Sequence, residues 1–566
     1  MKTKLISRVS YADIFKGNES ISELIVKSDV LKSLELLAII NKYQYKIHEK
    51  PNSEIQFILT EWLINEKQEL KKQILDCFIK LSEKKKDKGI PNVDFSSVSI
   101  INRTSTLRLL EIFSSLDTNQ KNPNTKQNSL ILFKLYLLVN TEISSRQDKI
   151  FKKLFSKKAS FMDDIKFHVF FGLTHPLQKS NTAKLIVPEV LKFIQFEKWI
   201  RKHEHYYGMT QDYIKTIGLS NWYEYFNDVF SLNNIATRNH KVSIKDYPVL
   251  KHVLNFFSSD GDFLSQWSEF INLKKRPIIR LNKESYLILD FDFLLNKFFS
   301  GLYHDILKFS KAYFGNKFSQ DYNNLFVEEI LLVNSIQSVF GKSYIKLSER
   351  EIKKSKIRGI DNLGIPDYYI RNGNKVFLFE CKNSFISNSN KIDLDTDRLL
   401  EEIRNKFYFD SSKGKNRTKN KAVKQLLSYI VNSSQNKFTF FDKTKKSSNL
   451  IYYPIIVVTD YTLCSIGFNQ LLNEYMKIEI QKLRDIEKRI KPLTIIHIDN
   501  LLYYQTNLKK IDGIILKYHS YLNNKEGFDS MISFSDYLDS ELFKGRAPLL
   551  KKNVDHILKD SLLPKE

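Results

Sequence analysis

The chain is poor in cysteine and has no long apolar segment. Its 566 residues contain three cysteines, Cys77, Cys381 and Cys464, which form no CxxC pair. Cysteines scattered in this way build no disulfide framework, so we expect a reducing, cytoplasmic setting. The longest apolar run, 450–458, is interrupted by Pro454. It is much shorter than the roughly 18 apolar residues of a membrane span, so we expect no membrane partner.

A secretion signal and a nucleotide-binding loop are also lacking. Residues 1–8 contain no apolar core, so the sequence predicts no signal peptide. Gly341-Lys-Ser343 has the end of a P-loop motif, but Ile336 stands where the first glycine is required. Any ATPase activity would therefore have to come from a partner protein, and a protein partner or a homo-oligomer stays open.

Positive charge is what the sequence has in excess. It carries 89 lysines and arginines against 64 aspartates and glutamates, which leaves a net charge of +25. Lysine, asparagine and isoleucine are abundant and glycine and proline are scarce, a bias typical of an AT-rich genome. Such a bias does not by itself lower the acidic residues enough to leave this charge. We therefore predict a polyanionic partner, most simply nucleic acid.

Hydrophobic periodicity divides the chain into four regions. Residues 1–275 show helical spacing and are predicted to be a helical domain that senses a trigger, binds a partner or adds DNA contacts. Residues 276–315 are predicted to be a hairpin and helix junction. Residues 316–520 combine short β-branched runs with helical patterns, as in an α/β domain. Residues 521–566 are predicted to be a partly helical tail.

A hairpin organises the second half of the chain. The apolar runs 368–370 and 376–379 flank Asn372-Gly373, the strongest short signal for a two-residue β-turn. With these two residues at the centre of the turn, Asp367 is predicted to face Leu378 on the opposite strand.

Acidic and basic side chains share one face of this predicted hairpin. Because side chains alternate along a strand, Asp367, Glu380 and Lys382 point to the same side, and Cys381 points to the other. Asp367 and Glu380 would be diagonal neighbours, with Cβ atoms roughly 7–8 Å apart. One small cation can sit between two carboxylates at that distance. Solvated charges at a frayed strand end are the alternative.

These residues resemble a nuclease signature. Pro366-Asp367, twelve intervening residues and Glu380-Cys381-Lys382 are similar to the motif of the PD-(D/E)XK nucleases. The resemblance implies an αβββαβ restriction-endonuclease-like core in which Asp367 and Glu380 bind Mg²⁺ and Lys382 lies at the reacting water or phosphate. Mn²⁺ can substitute for Mg²⁺, and the backbone carbonyl of Cys381 is a further expected ligand.

An acidic residue on the preceding helix is a further candidate. The spacing predicts an amphipathic helix over 325–340 that ends at Gly341. Glu329 shares its apolar face with Phe326, and in nucleases of this type a helical acid often joins the metal site. Glu329 is therefore predicted to be a metal ligand. Its neighbour Glu328 is the rival, and both could instead be surface acids in the first turn.

Two later elements are predicted to position DNA. Gln425 and Tyr429 lie four residues apart on a predicted helix and resemble the QxxxY element of the RecB-like branch of the family. A basic insertion, 383–422, precedes them. Its cationic side chains are expected to track phosphates beside the site, and a solvated loop is the alternative. The residues concerned are Lys413, Lys415, Arg417 and Lys419.

The expected function follows from the resemblance. It implies an Mg²⁺-dependent endonuclease that hydrolyses phosphodiester bonds of DNA, with bacterial anti-phage defence or restriction as its setting. A non-catalytic nucleic-acid-binding or scaffold subunit on the same fold is one alternative, and an RNA-directed nuclease is another.

Overall fold

The first part of the chain is rich in helices, as its periodicity predicts. In the computed structural model the described residues are 7–47, 52–86, 98–117, 127–155, 160–174, 182–259, 270–354, 365–410, 419–438, 441–442, 447–483 and 486–544. None of the helices described in these ranges is long and apolar enough to cross a bilayer. Up to residue 321 the α- and π-helices are Tyr11–Ile14, Ile21–Val26, Val30–Ile47, Ser53–Phe57, Ile58–Trp62, Gln68–Lys86, Arg103–Ser114, Asn128–Leu154, Phe161–Thr174, Thr182–Arg201, Glu204–Ile217, Trp222–Arg238, Lys251–Phe257, Ile271–Lys275, Phe291–Leu295, Ser300–Phe314 and Lys317–Asp321.

Two small sheets lie within this helical part. Ser7–Arg8 pairs in parallel with Val98–Ser99. A four-stranded sheet contains the antiparallel pair Ile278–Arg280 and Ser285–Ile288, which confirms the hairpin predicted near residue 280. Its strands run in the spatial order Lys241–Ser243, Ser285–Ile288, Ile278–Arg280 and Ser258–Ser259.

The later part of the chain forms an α/β domain around a five-stranded mixed sheet. Its strands are β1 (Ile345–Ser348), β2 (Tyr368–Asn372), β3 (Lys375–Lys382), β4 (Ile451–Val458) and β5 (Thr494–His497). The spatial order is β5-β4-β3-β2-β1. β2 is antiparallel to both of its neighbours, β1 and β3, whereas β4 and β5 run parallel to β3. A helix-rich region followed by an α/β domain is thus the observed architecture.

Helices precede, connect and follow these strands. The helix before β1, which we call the site helix, is π-helical over Tyr322–Leu332 and α-helical over Val333–Val339. A two-stranded ribbon, Phe409–Asp410 with Lys419–Asn420, lies in the β3–β4 connection. The other α- and π-helices of this part are Glu349–Lys353, Asn388–Ile392, Thr396–Phe407, Ala422–Ser434, Phe468–Ile480, Ile498–Tyr503, Ile511–Asn523, Phe534–Asp536 and Tyr537–Leu542.

The β2–β3 hairpin exists, but its predicted register is wrong. Asn372 pairs with Lys375, so Gly373 and Asn374 are the central turn residues. Gly373 has φ +58°, which suits the first central position of a type II′ turn. Tyr369 consequently faces Leu378. The shift moves each pairing by two positions, so the alternation of faces survives, and a one-residue slip would have reversed it.

The two faces of the sheet contact different hydrophobic cores. Tyr368, Phe377, Phe379 and Cys381 pack into a core that continues through the helices of 185–340 and 498–538. The opposite face packs against residues 150–173 and the helices that follow β3. These cores extend across residues 275, 315 and 520, and the predicted domain boundaries at those positions stay predictions.

One helix of the first part lies very close to the α/β domain. A Cβ atom at Gly172, in the helix Phe161–Thr174, would lie only 2.5 Å from Cβ of Ser465. Nearby, Gly467 has φ +79°, and a Cβ there would lie 3.1 Å from the carbonyl oxygen of Ile165. The helix backbone can therefore approach the segment after β4 only because residue 172 has no side chain.

Candidate active site

The three residues of the predicted signature meet at one edge of the sheet. The backbone N–H of Cys381 donates to Oδ2 of Asp367 at 2.6 Å. Lys382 Nζ donates to Oε1 of Glu380, also at 2.6 Å. Asp367 comes directly before β2, and β3 ends at Lys382, so the antiparallel pairing brings the start of one strand to the end of the other. The predicted grouping of Asp367, Glu380 and Lys382 is therefore present.

The helix Ala422–Ser434 adds two polar side chains to this edge. The hydroxyl of Tyr429 donates to Oε2 of Glu380 at 3.0 Å, and Oε1 of Gln425 accepts from Lys382 Nζ at 3.3 Å. Glu380 is only 2% exposed, so these hydrogen bonds hold a buried carboxylate in one orientation. The structure brings both residues of the predicted QxxxY element into contact with the site.

A group of three carboxyls lies beside the signature residues. One carboxylate oxygen from each of Glu328, Glu349 and Asp367 lies within 4.8 Å of the others, and all three residues are half-buried. Oxygen ligands at this spacing suit a hard cation such as Mg²⁺, Ca²⁺ or Mn²⁺. The three residues could therefore hold a metal ion.

Glu328, and not the predicted Glu329, lies in this group. Glu329 instead accepts from Arg350 Nη1 at 3.0 Å. The prediction rested on α-helical spacing, but this stretch of the site helix is π-helical, with hydrogen bonds from i to i+5. The wider turn changes which residues share a face, and it leaves Glu328 toward Asp367.

Glu349 is a member of the group that the sequence analysis missed. It directly follows β1 and opens the helix Glu349–Lys353, whose N-cap is Ser348. Its backbone N–H donates to the carbonyl oxygen of Asp367 at 3.0 Å, and its carboxylate also pairs with Lys353 at 2.6 Å. A signal was available, because Ser348-x-x-Glu351 is a capping box that fixes a helix start at the end of β1.

Crowding of like charges shapes the protonation of these acids. Burial, followed by the carboxyls of Glu380 and Glu328, raises the pKa of Asp367 well above its usual range. Burial is also the largest cause that raises the pKa of Glu328 to about 7, with Glu349 and Glu380 adding to it and Lys382 opposing it. Without a cation, the site therefore favours the protonated forms of Asp367 and Glu328.

Lys382 responds in the opposite sense. Burial lowers its pKa, but the carboxylates of Glu380 and Asp367 outweigh that effect, and the pKa is raised above its ordinary value. The ammonium is therefore charged at neutral pH, and it is 18% exposed, so a ligand can still reach it.

Cys381 contributes its backbone and not its thiol. Its side chain is buried in the core on the other face of the sheet, as predicted. Burial raises the pKa of the thiol well above its ordinary value. Since the N–H and C=O of a strand residue point to the same neighbouring strand, the carbonyl lies on the edge that carries Asp367.

The basic insertion is only partly described. Lys413, Lys415 and Arg417 lie outside the described residues. Lys419 is exposed, in the short strand that pairs with Phe409–Asp410. Its predicted role in positioning DNA stays a prediction.

The chain was also compared with known proteins. Protein-family models, curated proteins and solved structures all return no match. Any functional assignment therefore depends on the side-chain geometry and on the sequence motif.

Proposed function

We propose that this protein is a nuclease of the PD-(D/E)XK type, RecB-like branch, that uses a divalent cation to hydrolyse phosphodiester bonds of DNA. The observation that carries the proposal is one half-buried lysine among four carboxyls at a single sheet edge: Glu328, Glu349, Asp367 and Glu380. The site helix precedes β1, β2 and β3, and the helix Ala422–Ser434 and then β4 follow them, with shorter elements inserted between. This order supports the same assignment.

The donor set fits Mg²⁺, with Mn²⁺ as a substitute. Asp367, Glu328 and Glu349 would hold the ion, with the carbonyl of Cys381 as a further oxygen ligand. A bound cation of this kind supplies an activated water and neutralises charge on the phosphate. Glu380, expected from the motif to be a ligand, has its two oxygens engaged by Lys382 and Tyr429.

Lys382 would act on the phosphate as a fixed positive charge. Because Glu380 and Asp367 raise its pKa, it keeps its proton at neutral pH, and we assign it a role in charge stabilisation. Glu380 and Gln425 direct its Nζ, so the ammonium can donate a hydrogen bond to a phosphate oxygen as negative charge develops there. Glu380 is, in this arrangement, the residue that orients the lysine.

DNA is the proposed substrate because of charge and motif together. The net charge of +25 favours a polyanion. The contacts of Gln425 and Tyr429 with Lys382 and Glu380 support the RecB-like resemblance, in which this element positions DNA. Bacterial anti-phage defence or restriction is the proposed setting, by analogy with the family.

The deciding experiment incubates purified protein with plasmid, linear duplex, single-stranded DNA and RNA, with and without Mg²⁺ or Mn²⁺. We expect cation-dependent cleavage of DNA. We also expect Asp367→Ala to lower the rate by at least about 10²–10³-fold, as loss of a transition-state contact does. Glu329→Gln is the matched control, since Glu329 pairs with Arg350 and does not belong to the set of three carboxyls.

Two outcomes would contradict the proposal. Tight binding to nucleic acid without cleavage under any cation would favour the non-catalytic scaffold. Cleavage of RNA but not of DNA would favour the RNA-directed nuclease.

A further inference from the structure

An aromatic side chain stands exposed just beyond the lysine of the candidate active site. Phe385 follows Lys382 by three residues, which span at most about 10 Å of extended chain. Its side chain is 41% exposed. Among the aromatic residues between 322 and 544 whose exposure the structure describes, Phe385 alone is in the exposed class. Single exposed apolar residues are common, so position and rigidity have to decide its role.

The chain before Phe385 is held on both sides. Asn383 Nδ2 donates to Oδ1 of Asn323 at 2.5 Å. Oδ1 of Asn383 accepts from the hydroxyl of Thr459, at the end of β4. Asn323 belongs to the same π-helical stretch that carries Glu328. The segment is therefore fixed relative to the site helix and to the carboxyl of Glu328.

The chain after Phe385 is fixed as well. Ile386 is buried in the core under the sheet, and the N–H of Ser387 donates to Oε1 of Glu402 at 2.9 Å. Lys406 Nζ donates to the carbonyl oxygen of Phe385 and pairs with Glu402 at 2.6 Å. Phe385 is thus presented outward from an anchored backbone.

The surroundings of the ring suit a flat ligand. The Phe385 ring lies 5.1 Å from that of His304, centroid to centroid, at an angle of 61°. Its chain neighbours on the side of Lys382, Asn383 and Ser384, are polar. A rigid aromatic ring beside a cationic phosphate site is the arrangement on which single-strand binders stack bases.

We propose that Phe385 is a stacking platform for an unpaired base next to the scissile phosphate, and that the substrate class of this site is single-stranded DNA. The inference rests on the proposed function. The face of a base is free to stack on a side chain only when the base is not already stacked inside a duplex. Phe385 is therefore a specificity-determining residue, which discriminates unpaired from paired DNA, and Lys382 and the carboxyls act on the phosphate.

The test measures binding without cleavage. Wild type, Phe385→Ala and Phe385→Trp are titrated in EDTA with a single-stranded oligonucleotide carrying 2-aminopurine and with its duplex form. We expect Phe385→Ala to weaken single-strand binding by about 5–100-fold, the usual effect of losing one stacked base. Duplex affinity should change by less than about twofold. Phe385→Trp should restore binding and quench 2-aminopurine fluorescence.

Phe230→Ala is the matched control, because Phe230 is similarly exposed, at 49%, on the helix Trp222–Arg238. It should leave both affinities unchanged. In Mg²⁺, Phe385→Ala should raise KM for single strands and leave kcat and duplex cleavage unaltered.

The two proposals fail in distinguishable ways. Wild-type cleavage together with unchanged single-strand affinity of Phe385→Ala overturns the stacking role alone. A wild-type preference for duplex over single strands overturns it as well. Absence of cleavage by wild type, with the Phe385 effect intact in EDTA, overturns the nuclease assignment and leaves a single-strand-binding site.

Discussion

Lys192 and Lys382 each pair with a buried glutamate, and their surroundings differ. Lys192, on the helix Thr182–Arg201, pairs with Glu189 at 2.6 Å and with Asp499 at 3.0 Å. Lys382 pairs with Glu380 at 2.6 Å. For both lysines, burial lowers the pKa and neighbouring carboxylates raise it by more, so both stay charged at neutral pH.

Glu189, beside Lys192, has further donors of its own. It accepts from the backbone N–H of Phe299 at 3.1 Å and of Ser300 at 2.7 Å. Around Lys382, in contrast, three further carboxyls crowd together. A buried ion cluster with matched donors holds the fold together, and one with surplus carboxyls is suited to receive a cation.

The largest expected difference comes from removing each lysine. Lys192→Met leaves two buried acids uncompensated, so we expect the free energy of unfolding to fall by about 3–5 kcal/mol. Lys382→Met should instead lower the DNA cleavage rate by about 10²–10³-fold in protein that remains folded. Urea unfolding and cleavage per folded molecule separate the effects. Loss of cleavage by folded Lys192→Met would show that Lys192 also serves the active site, which contradicts a purely structural role.

Cation binding should stabilise the protein through Glu328 and not through Glu329. At a Mg²⁺ concentration 100 times the Kd, we expect the free energy of unfolding to rise by about 2.7 kcal/mol. Glu328→Gln should remove most of that gain, and Glu329→Gln should retain it. The measurement is thermal or urea unfolding with and without Mg²⁺. Equal loss in the two variants would contradict the placement of these neighbours.

Stability in EDTA should depend on pH through the crowded carboxyls. Since the pKa of Glu328 is raised to about 7, the folded state binds more protons than the unfolded state between about pH 4.5 and 7. Stability from this group is therefore complete below about pH 4.5 and falls as pH rises through 7, by at most roughly 3 kcal/mol.

Glu328→Gln should flatten that decline. Glu54 supplies the control, because burial also raises its pKa to about 7, although its carboxylate accepts from the N–H groups of Ile100 and Ile101. Saturating Mg²⁺ should abolish the part of the slope due to Glu328 and leave that of Glu54. If Mg²⁺ leaves the pH dependence of stability unchanged, no cation binds at Glu328, Glu349 and Asp367.

The smallest expected effects come from removing one hydroxyl that donates to a glutamate, Tyr429 to Glu380 beside Lys382 and Ser300 to Glu189 beside Lys192. Tyr429→Phe removes the 3.0 Å hydrogen bond to Glu380, and we expect the cleavage rate to fall by about tenfold, as loss of a hydrogen bond to a charged group allows. Ser300→Ala removes the 2.6 Å bond to Glu189. It should cost about 1 kcal/mol of stability without changing the rate.

Much of the framework of the site was predictable from local patterns. Period-two alternation and the Asn-Gly step gave the hairpin and the shared face of Asp367, Glu380 and Lys382. The four-residue spacing of Gln425 and Tyr429 gave the helix face that contacts them. These signals survive because each depends on short-range geometry, and even the misplaced turn shifted the register by an even number of residues.

The remaining residues depended on geometry that spacing does not encode. Glu328, and not Glu329, lies beside Asp367 because this stretch of the site helix is π-helical. The residue pattern did not predict the wider turn. Glu349 entered the group because β1 and β2 are antiparallel neighbours, which brings the end of one strand to the start of the other. The extent of the hydrophobic cores across residues 275 and 315 is likewise a property of tertiary packing.

Gly172 offers a way to weaken the contact between the helix Phe161–Thr174 and the segment after β4 without changing a residue of the candidate active site. Any larger residue there meets Ser465 and must push the helix Phe161–Thr174 off the segment that follows β4. Gly172→Val would thus act as a wedge between the amino-terminal helices and the sheet. If a signal sensed by those helices reaches the sheet through this contact, Gly172→Val would abolish the response to the signal. The carboxyls of Glu328, Glu349 and Asp367 would keep their affinity for divalent ions.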